Sequence, residues 1–324
     1  MRVQHWVWGA LALGLASQVQ AQGYETFNQS SLARAAALPA LGQGAVLPRN
    51  ASTNSVTLDW SNEFFLRSTA RENLTLDSES QRLALRYRAG IAPLWGRALE
   101  WSLELPLLFT GGGVLDSGIE NWHSTFGLPN SNRDDVPQDR YRIRYVRDGV
   151  TLVDREQGDS GLADVRLGLG LALSERFTLR GLVQLPTGDK SDLTGGHVGG
   201  ALWLDYSLPL SASRRAALLL SGGVSAASTN GPLGDVQQPV VGVAGAVLIV
   251  PIYGALDGVV QLNAHSKLYK GSELAPLSRA GAPLAAGLRW TRGALVFDLA
   301  VLEDPSVNAS PDFGLLFGIK VKQF

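Results

Sequence analysis

The 324-residue sequence contains no cysteine, which excludes both a disulfide framework and a thiolate metal site. Charge is also scarce: 18% of residues are charged, against about a quarter in ordinary soluble domains. Neither sign dominates, with 28 Lys and Arg, 29 Asp and Glu and a net charge of −1, so the composition has nothing to attract nucleic acid or a strongly anionic partner. Histidine occurs four times. Beyond the first twenty-odd residues there is no long helical apolar run. Val240 to Leu256 carries no charge, but Gly242, Gly245, Pro251 and Gly254 interrupt it and its large residues alternate, so it reads as strand, turn and strand.

What is present begins with "MRVQHWVWGALALGLASQVQAQG". Arg2, the apolar run Trp6–Ala16 and the small-residue pattern Val19-Gln20-Ala21 form a secretory leader over residues 1–21, with cleavage expected near Ala21. The run is short for a retained anchor. Residues 22–53 then form an N-terminal segment expected in the periplasm or in a lumen, and 54–324 form the folded body.

That body alternates. In "ADVRLGLGLAL", Val165, Leu167, Leu169, Leu171 and Leu173 share one face, opposite Asp164, Arg166, Gly168, Gly170 and Ala172. Phe177–Leu185, Leu99–Leu107 and Leu83–Ile91 repeat the pattern, and eight further segments can be read the same way. Each run is about ten residues or a little longer, the length a tilted strand needs to cross a bilayer, whereas soluble strands average about five to six. The connections alternate between long and short. Ser68–Ser80, Thr110–Leu162 and Thr187–Gly195 are long, and Pro93–Arg97, Ser174-Glu175 and Pro209–Ser213 are short. The expected fold is all-β: an antiparallel transmembrane β-barrel of about twelve strands, with the long outer loop 110–162 folded as a lid or plug. A soluble β-sandwich is the alternative.

Aromatic residues Trp60, Phe64, Tyr87, Trp101, Tyr206, Trp290, Phe297 and Phe313 fall on the outward parity, as interfacial girdles do. These features imply outer-membrane lipid and lipopolysaccharide as surroundings. The terminal Phe324 resembles the feature by which the barrel assembly machinery recognises its clients. Phe324 is one out of phase with Phe313, Leu315, Phe317, Ile319 and Val321, which calls for a bulge or a frayed end.

Three segments carry a family resemblance: "IENWHSTFGLPNSNRDDVPQDRYRIRY" (Ile119–Tyr145), "GLADVRLGLGLAL" (Gly161–Leu173) and "VQLPTGDKSDLTGGHVGGALWLDY" (Val183–Tyr206). With "FNQSSLARAAALPA" near the start, they resemble the Gram-negative envelope proteins grouped as domain of unknown function (DUF) family 3187. The second and third segments also look like barrels of the meta-pathway phenol-degradation type, associated with uptake of aromatic or hydrophobic compounds. The resemblance implies a barrel and carries no activity with it.

Chemistry is hard to find. Outer-membrane lipid hydrolases place His and Ser two apart on one strand, and no His here has Ser at that spacing. Asp134, Asp135 and Asp139 lack the spacing of a calcium loop and are expected to pair with Arg133 and Arg140. No catalytic, metal or cofactor site is expected. The candidate ligand contacts lie in the long loop, at Trp122, His123, Phe126, Leu128, Arg133 and Arg140. Trp122, Phe126 and Leu128 are apolar enough to be anchored inside the mouth, and "YRIRYVRDGVTLVDR" reads as a hairpin turning at Asp148-Gly149. Candidate lumen-lining residues on strands two to four are Arg86, Arg88, Glu100, Glu104 and Arg166. Further along, Arg180, Asp205, His265, Lys267 and Arg289 are added. Their mixed signs suit either cross-bracing ion pairs or a narrow polar channel. The functional expectation is a channel or transporter for an unknown small-molecule solute, possibly hydrophobic. A sealed structural or surface-interaction barrel and a lipid hydrolase are the alternatives.

Overall fold

The computed structural model describes residues 21–127, 133, 136–189, 193, 195–211, 215–306 and 309–323. Residues 1–20 of the expected leader, Leu128, Asp134, Asp135 and Phe324 lie outside these, as do the side chains of His123 and Phe126. Fifteen strands form one sheet, and twelve of them close into an antiparallel barrel. In chain order the barrel strands are β1 (Ser52–Ser68), β2 (Glu72–Leu94), β3 (Arg97–Gly111), β7 (Arg166–Ala172), β8 (Phe177–Gln184) and β9 (Gly199–Pro209). They continue with β10 (Ala217–Ala227), β11 (Val240–Tyr253), β12 (Leu256–His265), β13 (Leu284–Arg292), β14 (Leu295–Glu303) and β15 (Phe313–Gln323). Pairing of β1 with β15 from Ser52↔Gln323 to Asn62↔Phe313 closes the ring and removes both sheet edges.

The alternation sorts side chains between two surroundings. Leu167 and Leu169 of β7 are exposed on the outer wall, while Arg166 is buried inside. At the short-turn end, outward aromatics pair across strands: Tyr87 with Trp101, Phe177 with Tyr206, and Trp290 with Phe297. The backbone turns there through Trp95-Gly96, Gly254 and Gly293, all with positive φ. No helix among the described residues is long and apolar enough to span a membrane. A transmembrane barrel crosses with strands instead. β15 keeps one unbroken register with β1 through Gln323, so no bulge resets its phase.

Two expectations about the outer side need correction. Ser68–Ser80 is not a loop: the chain turns within residues 69–71, and β2 is one 23-residue strand. The apolar parity switches along it. Leu83 and Leu85 face outward where lipid surrounds the barrel, whereas Leu74 and Leu76 face inward where water does. A reading that follows one apolar face loses the strand at that switch. The extended hairpin gains a second one, β4 (Arg142–Arg147) and β5 (Val150–Arg155), paired to β2 over Glu72–Asp77. Its turn is Asp148-Gly149, both at positive φ (51° and 77°) as a type I′ turn requires. A three-residue strand, β6 (Ser160–Leu162), rejoins β3.

The second correction concerns the loop itself. Asp116–Phe126 is a helix, α1, started by Asp116 in its first turn and stopped at Gly127 with φ +68°. Its buried Ile119 and half-buried Trp122 face the outer wall of the barrel, not its mouth. The Trp122 ring lies 6.1 Å from that of Phe313, an outward residue of β15. Arg133 is buried on the same wall. It donates to Asp116 (2.5 Å), Asp312 (2.5 Å) and Asn62 (2.9 Å), and stands 4.9 Å over the ring of Phe64. Asp312, just before β15, and Asn62 and Phe64 on the outer face of β1 thus hold this guanidinium, and with it Asp116 of α1, against the outside of the barrel. Its described partners are Asp116, Asp312 and Asn62, and the expected pairing with Asp134 and Asp135 lies outside the described residues.

Candidate channel lumen

The lumen is occupied by the chain's own N-terminal segment. From Gly23 to Leu41 almost every residue is buried. The segment rises from the short-turn end, bends at the top and comes back down. Gly23 N donates to Gly42 O at 2.7 Å, holding the two arms together. At the tip a short 3-10 turn, Arg34–Ala36, ends at Ala37 in the left-handed region. Gly42 is needed where the descending arm meets β11, since a Cβ there would stand 2.5 Å from Val247 Cγ2. The segment leaves through Leu47, whose amide donates to Glu100 (2.8 Å), and enters β1 at Ser52.

The anchors follow the climb. At the bottom, Arg289 donates to the Gln22 and Gly23 carbonyls, and Lys320 reaches Gln22 Oε1 (2.8 Å). Glu25 lies across the closing seam: it accepts from Ser55 of β1 (2.5 Å) and pairs with Lys320 of β15 (2.9 Å), residues that are register partners. Higher up, Gln261 donates to and accepts from the Tyr24 backbone, and Asp59 accepts from Thr26 (2.6 Å). At the tip Glu63 accepts from both Ser30 and Ser31 hydroxyls and from the Ser31 amide (3.0 Å). Ser225 donates to the Ala36 carbonyl (2.6 Å).

The lumen wall has two unlike halves. On β2, β3 and β7–β9 it is ionic. Glu104 takes Arg82 and Arg86 (2.6 Å) with Arg166 at 4.0 Å, while Glu100 takes Arg88 (2.7 Å) and Arg180 (2.5 Å), and Arg180 also reaches Asp205 (2.8 Å). All eight residues of this chain of pairs, three carboxylates and five arginines, are buried. Such charges are tolerated in the interior because each meets an opposite one. On β10–β12 and β14–β15 the wall is apolar: Leu219, Val247, Ile249, Val259 and Leu316 pack around Tyr24. Arg289 pairs with Asp298 (2.6 Å) at its foot.

His265 is buried in the lumen with both nitrogens engaged, by Asn28 (2.7 Å) and the Ser266 carbonyl (2.8 Å). It serves as a clasp on the segment. Lys267, expected beside it, is exposed: β12 ends at His265, so the parity that would carry Lys267 inward stops two residues short. Arg140 is half-buried in the outer loop. Among the described residues, no group of three or more His, Asp or Glu is placed to hold a metal ion.

The mouth is closed by the strand extension. Phe65, Leu74, Leu76, Ile143, Tyr145 and Val153, on its inner face, form one buried cluster with Phe27, Leu32 and Leu38 of the segment and with Tyr269 and Leu277 of the β12–β13 connection. Tyr145 donates to Glu72, and burial with this carboxylate pushes its hydroxyl up to about 12. The cover over the mouth is thus the β4–β5 half of the long loop, while the Trp122 half braces the outside. Beside this cover, between β6 and the β8–β9 connection, lies an open chamber of about 470 Å³ bordered by Leu108, Ser160, Ala163 and Thr187.

The residues that sequence reasoning missed are those of the segment, Tyr24, Glu25, Phe27 and Asn28. The segment has no strand or helix period, and its partners are spread over the whole ring, so no local pattern marks them.

A family model described as "Protein of unknown function (DUF3187)" matches residues 7–323. No curated protein matches. Among solved structures, an outer membrane channel from Pseudomonas putida F1 superposes with a TM-score of 0.53 at 14% identity, over 86% of this chain and 97% of that one. A Pseudomonas aeruginosa FadL homologue gives 0.43 at 9% identity over 93% and 99%. A monoaromatic hydrocarbon channel, CymD, gives 0.41 at 11% over 86% and 89%.

Proposed function

The chain belongs to the DUF3187 family, and we propose that it is a gated outer-membrane channel for small molecules, seen here closed. One observation carries the reading: the inward side chains of the barrel do not fill its lumen by themselves, and the chain's N-terminal segment takes up the rest. Barrels of about eight strands fill themselves with inward side chains, whereas wider ones enclose space. Here that space is taken by residues 22–47, held only by hydrogen bonds, ion pairs and packing. The 470 Å³ chamber beside the cover gives a solute a place to enter. The outward apolar residues, the aromatic pairs at the short-turn end and the expected secretory leader support an outer-membrane location, with lipopolysaccharide around the upper wall and the barrel assembly machinery as the inserting partner.

A planar-bilayer comparison tests this. The intact protein should conduct rarely, and a variant lacking residues 22–47 should conduct steadily and pass small sugars in liposome swelling. A deletion variant that is folded, as judged by its heat-modifiable gel mobility, yet conducts no more than the intact protein would leave a sealed structural barrel. The many buried bonds between segment and wall favour that second reading.

A further inference from the structure

Behind the open chamber lies a smaller niche of about 20 Å³ in the lumen wall, lined by Phe27, Arg82, Pro106, Asp164, Arg166 and Gln184. The two spaces share Leu108 and Ala163, which stand between them. The niche offers one unused donor and one unused acceptor. Gln184 is 1% exposed, and its Nε2 is committed to Asp164 (3.1 Å) and the His197 carbonyl (3.3 Å). That commitment fixes the amide orientation and leaves Oε1 without a hydrogen bond. Arg82 Nη1 is likewise without one, 3.8 Å from Asp59.

The charges around the niche balance. Arg34, Arg82 and Arg166 face Asp59, Glu104 and Asp164. A carboxylate entering here would meet the Gln184 oxygen and Asp164 with no cation in excess. A hydrocarbon would leave both polar atoms without a hydrogen bond, as they are in the empty niche. A hydroxyl satisfies both, accepting from Arg82 and donating to Gln184, and needs about the volume of one water. The body attached to it would lie past Leu108, Pro106 and Ala163, which are apolar, and extend into the chamber.

We propose that the chamber and niche together form a binding site for a small neutral molecule with one hydroxyl on an apolar body. The site rests on the channel reading for its role in transport, but not for binding itself. The hydroxyl sits between Arg82 and Gln184, and Leu108 marks the constriction through which the body passes.

Equilibrium dialysis on the full protein in lipid nanodiscs tests this with three probes of one shape: benzyl alcohol, toluene and benzoate. Benzyl alcohol should show a saturable component above partition into lipid, and the other two should not. Gln184→Leu should weaken that component roughly tenfold, the loss expected for one buried hydrogen bond. Leu108→Trp, which leaves the polar groups untouched, should abolish it. If Gln184→Leu yields no heat-modifiable barrel, Leu108→Trp decides. Absence of saturation with benzyl alcohol, equal or tighter binding of benzoate, or wild-type affinity in Leu108→Trp each overturns the proposal. Conductance measured in parallel separates the two readings: binding without flux retains the site and removes the channel, and flux without binding does the reverse.

Discussion

Glu63→Ala should free the tip of the lumenal segment. The carboxylate takes three hydrogen bonds, from the hydroxyls of Ser30 and Ser31 and from the Ser31 amide. Each bond to a charged acceptor contributes roughly 1.5–3 kcal/mol. Part of that is returned, because the variant no longer desolvates a buried carboxylate and the two hydroxyls can find water once the tip moves. A net loss of about 3 kcal/mol is a reasonable balance, equivalent to a factor of roughly a hundred in the closed-to-open ratio. Single-channel recording reads this directly, as a rise of about two orders of magnitude in the fraction of time spent open. Ser30→Ala combined with Ser31→Ala keeps the carboxylate and the Ser31 amide bond, so its rise should be smaller. An unchanged open fraction in Glu63→Ala, with the barrel still heat-modifiable, would refute the idea that the tip is the latch.

Three further outcomes are expected. Leu169→Arg places charge on a residue 59% exposed on the lipid-facing wall and should cost roughly 2–4 kcal/mol in urea-driven unfolding from bilayers if it lies near the midplane; wild-type stability would show the assigned parity to be wrong. Arg133→Met strips Asp116 and Asp312 of their shared cation, so hydrogen exchange over α1 should accelerate by at least tenfold while the barrel strands stay protected. Because the Tyr145 hydroxyl is pushed up to about 12 by burial and Glu72, Tyr145→Phe should leave the 295 nm titration unchanged below about pH 11; a lost ionisation near pH 10 would contradict the closed cover.

The barrel was legible because lipid outside and a polar lumen inside force one strict alternation, and Arg166 against Leu169 already states it. Legibility failed where the surroundings change. β2 was lost at Leu76–Leu83, where the apolar face passes from the inside to the outside. Leu115 just before α1 and Ile119 and Trp122 within it form a helical stripe, but the polar majority of the helix reads as loop until the contacts on the outer wall are seen to hold it. Val241, Val243, Val247 and Ile249 of β11 face inward against the segment and are buried, so that strand is apolar on both faces and its sequence does not say which face is the lumen. The segment itself is legible only as something other than strand, since its conformation is imposed by the wall.

Glu25 gives the segment a part in building the barrel as well as in blocking it. The β1–β15 seam joins the first strand of the ring to the final one, so it closes only when the whole chain is present. Glu25 holds Ser55 on one side of that seam and Lys320 on the other. A single carboxylate of the arm thus ties the first strand of the ring to the last, and an arm docked against β1 before closure would present that carboxylate to the arriving β15. Shortening the arm would slow insertion even when the finished barrel is stable, so the folding rate, and not only the conductance, carries a record of what the lumen contains.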